Sequence, residues 1–325
     1  MSIPSRILIT GFSGFVGSYL VEQCRVHYPN AELFGLCKQS PSYATTTAIR
    51  DVTPLVVDIT QPERVRHAIA QVQPDLVFHL AAQPSVAASW SDPEQALKVN
   101  AGGALHLFEA LRNERLSPRI ILVGSGEQYG MIQPEENPLR EESLFRPVNP
   151  YAVSKAAQDL YGYQYFVAYG LPILRVRSFN HFGPRQPATF VVASFARQIA
   201  LIEAGKAEPI LSVGNLKAQR DFLPVEDVVG AYIALADQGQ PGEAYNVGSG
   251  RARSIGEMLN LLLSLAKLPI SVYEEPSRFR PVDVPLLVAD TTRLRTHTGW
   301  KPIVDFEWAL SQTLDYWREA VVSMP

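Results

Sequence analysis

Three glycines at a spacing of three, in Thr10-Gly11-Phe12-Ser13-Gly14-Phe15-Val16-Gly17, separate the apolar run Arg6–Thr10 from the helical pattern Ser18–His27. A strand, a tight turn and a helix in that order limit the possible folds more than any other feature of the chain. Gly11 permits the turn, Gly14 lets the backbone approach a pyrophosphate, and Gly17 allows the helix to pack closely on the strand. The helix start then offers free N–H groups and a partial positive charge to phosphates. A glycine triplet alone is weak and fits any tight turn. In this setting it predicts a dinucleotide site that also includes Phe15 and Val16 at the helix start.

The same rhythm continues down the chain. Glu32–Leu36, Leu55–Val57, Asp75–Leu80, Arg119–Gly124 and Ile173–Val176 read as strands. Helices are expected from near Gln61-Pro62-Glu63, over Ala96–Asn113, and from Asn149 to about Tyr169. Near-continuous apolar strands alternating with helices predict an α/β fold: a Rossmann-type doubly wound parallel sheet covered on both faces. After Asn180 the rhythm breaks at Pro184, Pro187 and Pro209, which predicts a smaller C-terminal α/β lobe. Within it Ala231–Ala236 and Ile255–Ala266 look helical, and Tyr245-Asn246-Val247 reads as a strand that rejoins the main sheet. The expected organisation is a dinucleotide-binding domain over 1–180, rejoined by 222–250, and a mainly substrate-binding lobe over 181–325.

Composition narrows the function classes. A chain of 325 residues with net charge −3 offers no basic surface for nucleic acid or an anionic membrane. No run reaches the roughly 18 apolar residues of a spanning helix, and no apolar signal core precedes the first strand. Cys24 and Cys37 have neither metal-site spacing nor the makings of a disulfide framework. A cytoplasmic protein without a metal is expected.

The second strand leads into Gly35-Leu36-Cys37-Lys38-Gln39, where an NAD-selective site usually carries an acid for the ribose 2′-hydroxyl. With no acid and one cation there, NADP(H) is favoured over NAD(H), and Lys38 is the candidate partner of a 2′-phosphate; the alternative is a solvated loop lysine. Asp58 and Ile59 follow the third strand at the adenine edge. Leu80, Ala81 and Ala82 are expected to pass close to the cofactor.

Tyr151-Ala152-Val153-Ser154-Lys155 places a tyrosine and a lysine four apart, on one helix face. A nearby ammonium lowers a phenol's pKa toward working pH and makes Tyr151 a usable proton donor or acceptor. Ser125, at the end of the fifth strand, is placed to bond the same substrate oxygen. Glu127, two residues on, is either a second acid–base group or a carboxylate that holds the loop or a sugar hydroxyl.

These motifs, TGFSGFVG, the serine loop and YAVSK, resemble the extended short-chain dehydrogenase/reductase family over nearly the whole chain. Arg177–Pro184, Val213–Phe222 and Phe279–Val284 are similar to family members acting on GDP-mannose derivatives. The resemblance implies a GDP-sugar substrate and NADPH-dependent reduction of the 4-keto group of a GDP-4-keto-6-deoxy-hexose, giving GDP-D-rhamnose. The alternative it leaves open is 4,6-dehydration of GDP-mannose, since Ser125 and Glu127 fall where a dehydratase has its catalytic hydroxyl and glutamate. It further implies that Ser85 and Asn180 touch the sugar or its phosphates, that Arg185, Arg220 and Arg280 hold the diphosphate and nucleoside, and that the protein is a homodimer. An ordinary surface salt bridge is the competing reading for Arg185.

Overall fold

The computed structural model describes residues 3–40, 49, 51–279 and 281–322. Arg280 lies outside the described residues. The strands in chain order are β1 (Arg6–Thr10), β2 (Glu32–Cys37), β3 (Thr53–Val56), β4 (Leu76–His79), β5 (Arg119–Val123), β6 (Ile173–Ser178), β7 (Asn180–Phe182), β8 (Ile210–Val213), β9 (Gln219–Pro224), β10 (Ala244–Val247), β11 (Ala252–Ser254), β12 (Ser271–Glu274) and β13 (Leu286–Leu287). The helices are α1 (Phe15–His27), α2 (Pro62–Val72), α3 (Val86–Ser91), α4 (Pro93–Leu97), α5 (Gly103–Asn113), α6 (Pro150–Tyr169), α7 (Val191–Glu203), α8 (Val225–Gln238), α9 (Ile255–Ser264), α10 (Thr292–Thr298) and α11 (Phe306–Val322).

The main sheet has seven parallel strands in the order β10-β6-β5-β4-β1-β2-β3. Its centre is the switch point, where β1 lies between β2 and β4 and the chain turns from one side of the sheet to the other. That crevice is where open α/β sheets bind ligands. Alternation along each strand feeds two cores. Ile7, Ile9, Phe78 and Val176 pack with α1 and α8 on one face. Leu8, Val77, Ile120 and Leu122 pack with α2 and α5 on the other. Burial on both faces is why these strands are apolar throughout. A third core joins α7, α9 and α11 to β8 and β9 in the smaller lobe.

Several boundaries depart from the sequence reading. β3 starts at Thr53 and includes Pro54, which an edge strand tolerates because one side of its backbone has no partner. The helix expected over Ala96–Asn113 is interrupted: α4 ends at Leu97, a π-helical turn runs over Lys98–Gly102, and α5 starts at Gly103. α8 extends well beyond Ala231–Ala236, and its apolar face completes the core against α1. β10 leaves the smaller lobe and pairs with β6, so the sheet draws its outer strand from far along the chain.

Candidate active site

The site forms where the C-terminal ends of β1, β4 and β5 meet the start of α6. Thr10 fixes the first two strands together: its Oγ1 lies 2.9 Å from His79 Nδ1 and accepts the Ala81 N–H at 3.1 Å. Gly11 adopts φ +74°, and a Cβ there would meet the Ala81 backbone at 3.0 Å. At Gly17 a Cβ would fall 2.4 Å from the Gly11 carbonyl oxygen. The outer two glycines are therefore required by the protein's own packing. Gly14 is different. It is exposed, and a Cβ would approach only the Gly11 carbonyl, at 3.2 Å. It caps α1 without a side-chain hydrogen bond, and the first turn of α1 holds no acid. An open helix start with unneutralised positive charge is what a phosphate needs. Phe15 and Val16 stand half-buried beside it.

Around the adenosine end, Lys38 is exposed and its ammonium lies 3.3 Å from Asp58 Oδ2. Burial pushes the Asp58 carboxyl up, but hydrogen bonds from Thr60 and Lys38 outweigh it and hold the pKa below the usual range. The two residues predicted for separate tasks thus form one pair. The Ile59 carbonyl accepts from His106, and its side chain lies against Gly103. Leu80, Ala81 and Ala82, which follow β4, are half-buried.

On the other side, Ser125 begins a 3₁₀ turn over Gly126–Tyr129, with its hydroxyl accepting the Glu127 N–H at 3.2 Å. Tyr151 is half-buried and hydrogen-bonds Ser125 through its side chain. Its pKa does not fall as expected. Burial raises it to about 12, against the Ser125 hydrogen bond, and the Glu127 charge raises it further. Lys155 does not oppose this because its ammonium turns away: Nζ donates to the Val123 carbonyl at 2.8 Å and to Gln158 Oε1 at 2.7 Å. Burial lowers Lys155 to about 7. The pair shares a helix face, yet its polar ends have different partners.

Glu127 is half-buried, with Oε2 3.5 Å from Asn149 Nδ2. Asn149 also caps α6 through Oδ1, which accepts the Ala152 N–H at 2.8 Å. Ser89 accepts the next free donor, the Tyr151 N–H, at 3.1 Å. Asn100, in the π-helical turn, binds Gln83 and Ser154 and so ties the loop after β4 to the turn of α6 between Tyr151 and Lys155. Sequence reasoning missed Ser89, Asn100 and Gln158 as site residues. Only Asn149 carried a local signal, as an Asn before the Pro that opens a helix.

The predicted substrate contacts are scattered. Ser85 is the N-cap of α3 and Asn180 the first residue of β7, both half-buried. Arg185 sits at φ +71°, forks onto both Glu22 oxygens at 2.8 and 3.0 Å, and stacks 3.7 Å over the Tyr19 ring. Arg220 is buried, bonded to Asp283 at 2.6 Å and to the Val284 carbonyl at 2.6 Å, and it fastens β9 to the segment before β13.

Fold and cluster together define an enzyme of oxidoreductase type on the extended short-chain dehydrogenase/reductase plan. More narrowly, the chain belongs to the GDP-mannose 4,6 dehydratase family, whose model matches residues 8–313. Among curated relatives, it is 34% identical to GDP-6-deoxy-D-mannose reductase of Pseudomonas aeruginosa, covering 98% of this chain and 99% of that protein. It is 32% identical to GDP-mannose 4,6 dehydratase 2 of Arabidopsis thaliana, over 96% and 87% of the two chains. Among solved structures, RMD from Pseudomonas aeruginosa complexed with NADPH superposes with a TM-score of 0.81 at 32% identity, over 97% and 99% of the chains. The Thermus thermophilus UDP-glucose 4-epimerase complex with NAD gives 0.86 at 31% identity, over 97% and 99%. Among the described residues no helix is long and apolar enough to cross a membrane.

Proposed function

We propose that this protein binds NADPH and reduces the 4-keto group of a GDP-4-keto-6-deoxy-hexose, giving GDP-D-rhamnose. The observation that carries the reading is the Tyr151–Ser125 side-chain hydrogen bond at the end of β5, which brings a phenolic donor and an orienting hydroxyl to one place. A phenol is protonated at neutral pH and suits an oxygen that gains a proton as its carbon is reduced. The similarity to GDP-6-deoxy-D-mannose reductase supports the same direction.

The residues present fit the cofactor: the uncapped start of α1 beside exposed Gly14 would hold its pyrophosphate, and Lys38, exposed after β2 and paired with Asp58, is the cation that would meet a 2′-phosphate. When bound, the reduced nicotinamide supplies the hydride. The protein's part is to place the carbonyl and deliver the proton. Ser125 orients the carbonyl oxygen by a hydrogen bond. Tyr151 gives its phenolic proton to that oxygen, and Lys155 is held beneath β5, one turn along the same helix face. Ser85 and Asn180 are assigned to the sugar or its phosphates, and Arg185, Arg220 and Arg280 to the diphosphate and nucleoside.

Dehydration of GDP-mannose is the second reading, because the Glu127 charge bears on Tyr151 and Glu127 is steadied by Asn149. A carboxylate so placed could remove the C5 proton. Incubation with the 4-keto sugar plus NADPH, and separately with GDP-mannose, followed by NMR of the products, tests the choice. We expect stoichiometric NADPH consumption with the keto sugar, unchanged GDP-mannose, and most of the reductase activity retained in Glu127→Gln. Conversion of GDP-mannose without added reductant, lost in Glu127→Gln, would establish the dehydratase instead.

The buried, unpaired Cys24 and Cys37 support a reducing compartment such as the cytoplasm. A homodimer is assigned to the outer face of α6, where Val153, Leu160 and Val167 recur every seventh residue and stand exposed.

A further inference from the structure

Lys155 is 3% exposed, so its ammonium has almost no water to solvate it. A buried charge of this kind needs acceptors in fixed places. One is the Val123 carbonyl at the end of β5, at 2.8 Å. The other, at 2.7 Å, is Oε1 of Gln158, a side chain with no exposed surface, one turn further along α6. Gln158 Nε2 donates in turn to the same Val123 carbonyl at 3.4 Å, which closes a ring of three groups. The ring fixes the sense of the amide. Turned over, it would set two donors against each other and leave its oxygen facing a carbonyl.

We propose that Gln158 is a positioning residue: its amide carbonyl seats the Lys155 ammonium beneath β5 and, being uncharged, holds that cation without giving it a counter-ion. The surrounding charges fit this reading. Arg175 and Arg177 of β6 are matched by buried Asp159. His79 of β4 is held down to about 3 by burial and the nearby Lys155 charge, and is neutral. Glu127 of the 3₁₀ turn bears on Tyr151, Glu109 of α5 is taken up by Arg112 and Tyr165, and Lys98 of the π-helical turn faces solvent. Among the described residues no carboxylate meets Lys155. Burial with neutral acceptors only is why its pKa falls to about 7.

The consequence for catalysis rests on the proposed reductase, so the test includes a measurement that needs no turnover. In protein labelled with 13C at lysine Cε, the Lys155 resonance, assigned by its loss in Lys155→Met, is followed against pH by NMR in the ligand-free enzyme. Wild type should titrate near 7. Gln158→Glu, nearly the same shape, puts a carboxylate at contact distance and should raise the midpoint by roughly one to three pH units. Gln158→Leu removes the acceptor and should lower it. With the keto sugar and NADPH, Gln158→Glu should move the alkaline limb of kcat in the same direction and leave KM for the sugar within about twofold. Circular dichroism checks that each variant folds, and Gln158→Glu suffices if Gln158→Leu does not. A Lys155 midpoint in Gln158→Glu within about 0.3 pH units of wild type would overturn the proposal. If the midpoint moves as stated but the wild type turns over no keto sugar, the assigned reaction fails and the role of Gln158 stands.

Discussion

At the scale of a single residue, the proposed chemistry turns on Tyr151. Tyr151→Phe keeps the ring and removes the proton. Turnover should fall by roughly 10²–10⁴-fold, the usual worth of a positioned acid, with KM for the sugar little changed because the phenol acts mainly in the transition state. Steady-state kinetics check this, and near-wild-type turnover would mean that another group donates. That Ser125 and Tyr151 come together was legible because one sits at a strand end and the other at the start of the helix that follows. The destination of the Lys155 ammonium was not. Sequence spacing gives the face of a helix but not the rotamer, and the competing acceptor, Gln158, lies on the same helix. The arginines were least legible. The carboxylates that pair with Arg185 and Arg220 lie 163 and 63 residues away, where sequence carries no signal for the pairing.

The glycine turn and α1 form the element to which cofactor binding is assigned. The three glycines differ in what they do, and this can be measured. Gly17→Ala forces a Cβ against the Gly11 carbonyl at 2.4 Å and the Phe12 backbone at 2.7 Å, so the turn must move. A loss of about 1–3 kcal/mol of stability is expected, the usual cost of overpacking, seen as a lowered melting temperature without ligand. Gly14→Ala meets only the Gly11 oxygen at 3.2 Å, and its melting temperature should stay close to wild type. Its methyl instead projects where the backbone would approach the pyrophosphate, so NADPH should no longer raise the melting temperature. Equal NADPH stabilisation of Gly14→Ala and wild type would remove Gly14 from the cofactor site. The fold class was borne out because buried parallel strands leave long apolar runs that periodicity detects. The π-helical turn left no such mark: inserting one residue changes the register of hydrogen bonds, not the composition of the segment. The short strands β7, β11 and β13 have two or three residues each, too few for alternation to register.

For the whole molecule, the question at the outer face of α6 is whether a second copy covers it. Leu160 stands 59% exposed at the middle of the apolar stripe. If two copies pack there, Leu160→Glu buries a carboxylate in an apolar contact, and sedimentation should show a shift from dimer to monomer at micromolar protein. A wild-type monomer at that concentration would place the contact elsewhere or nowhere.

The route of the chain also has a consequence for the newly made protein. β6 is complete once Ser178 has been added, but its outer neighbour, β10, does not exist until Val247 has been. At about 5–20 residues per second, the ribosome takes several seconds to supply it. Throughout that interval β6 presents an open edge, the kind of surface on which a neighbouring nascent chain can pair by mistake. Translation speed across the segment between β6 and β10 therefore sets how long this protein is vulnerable to misassembly.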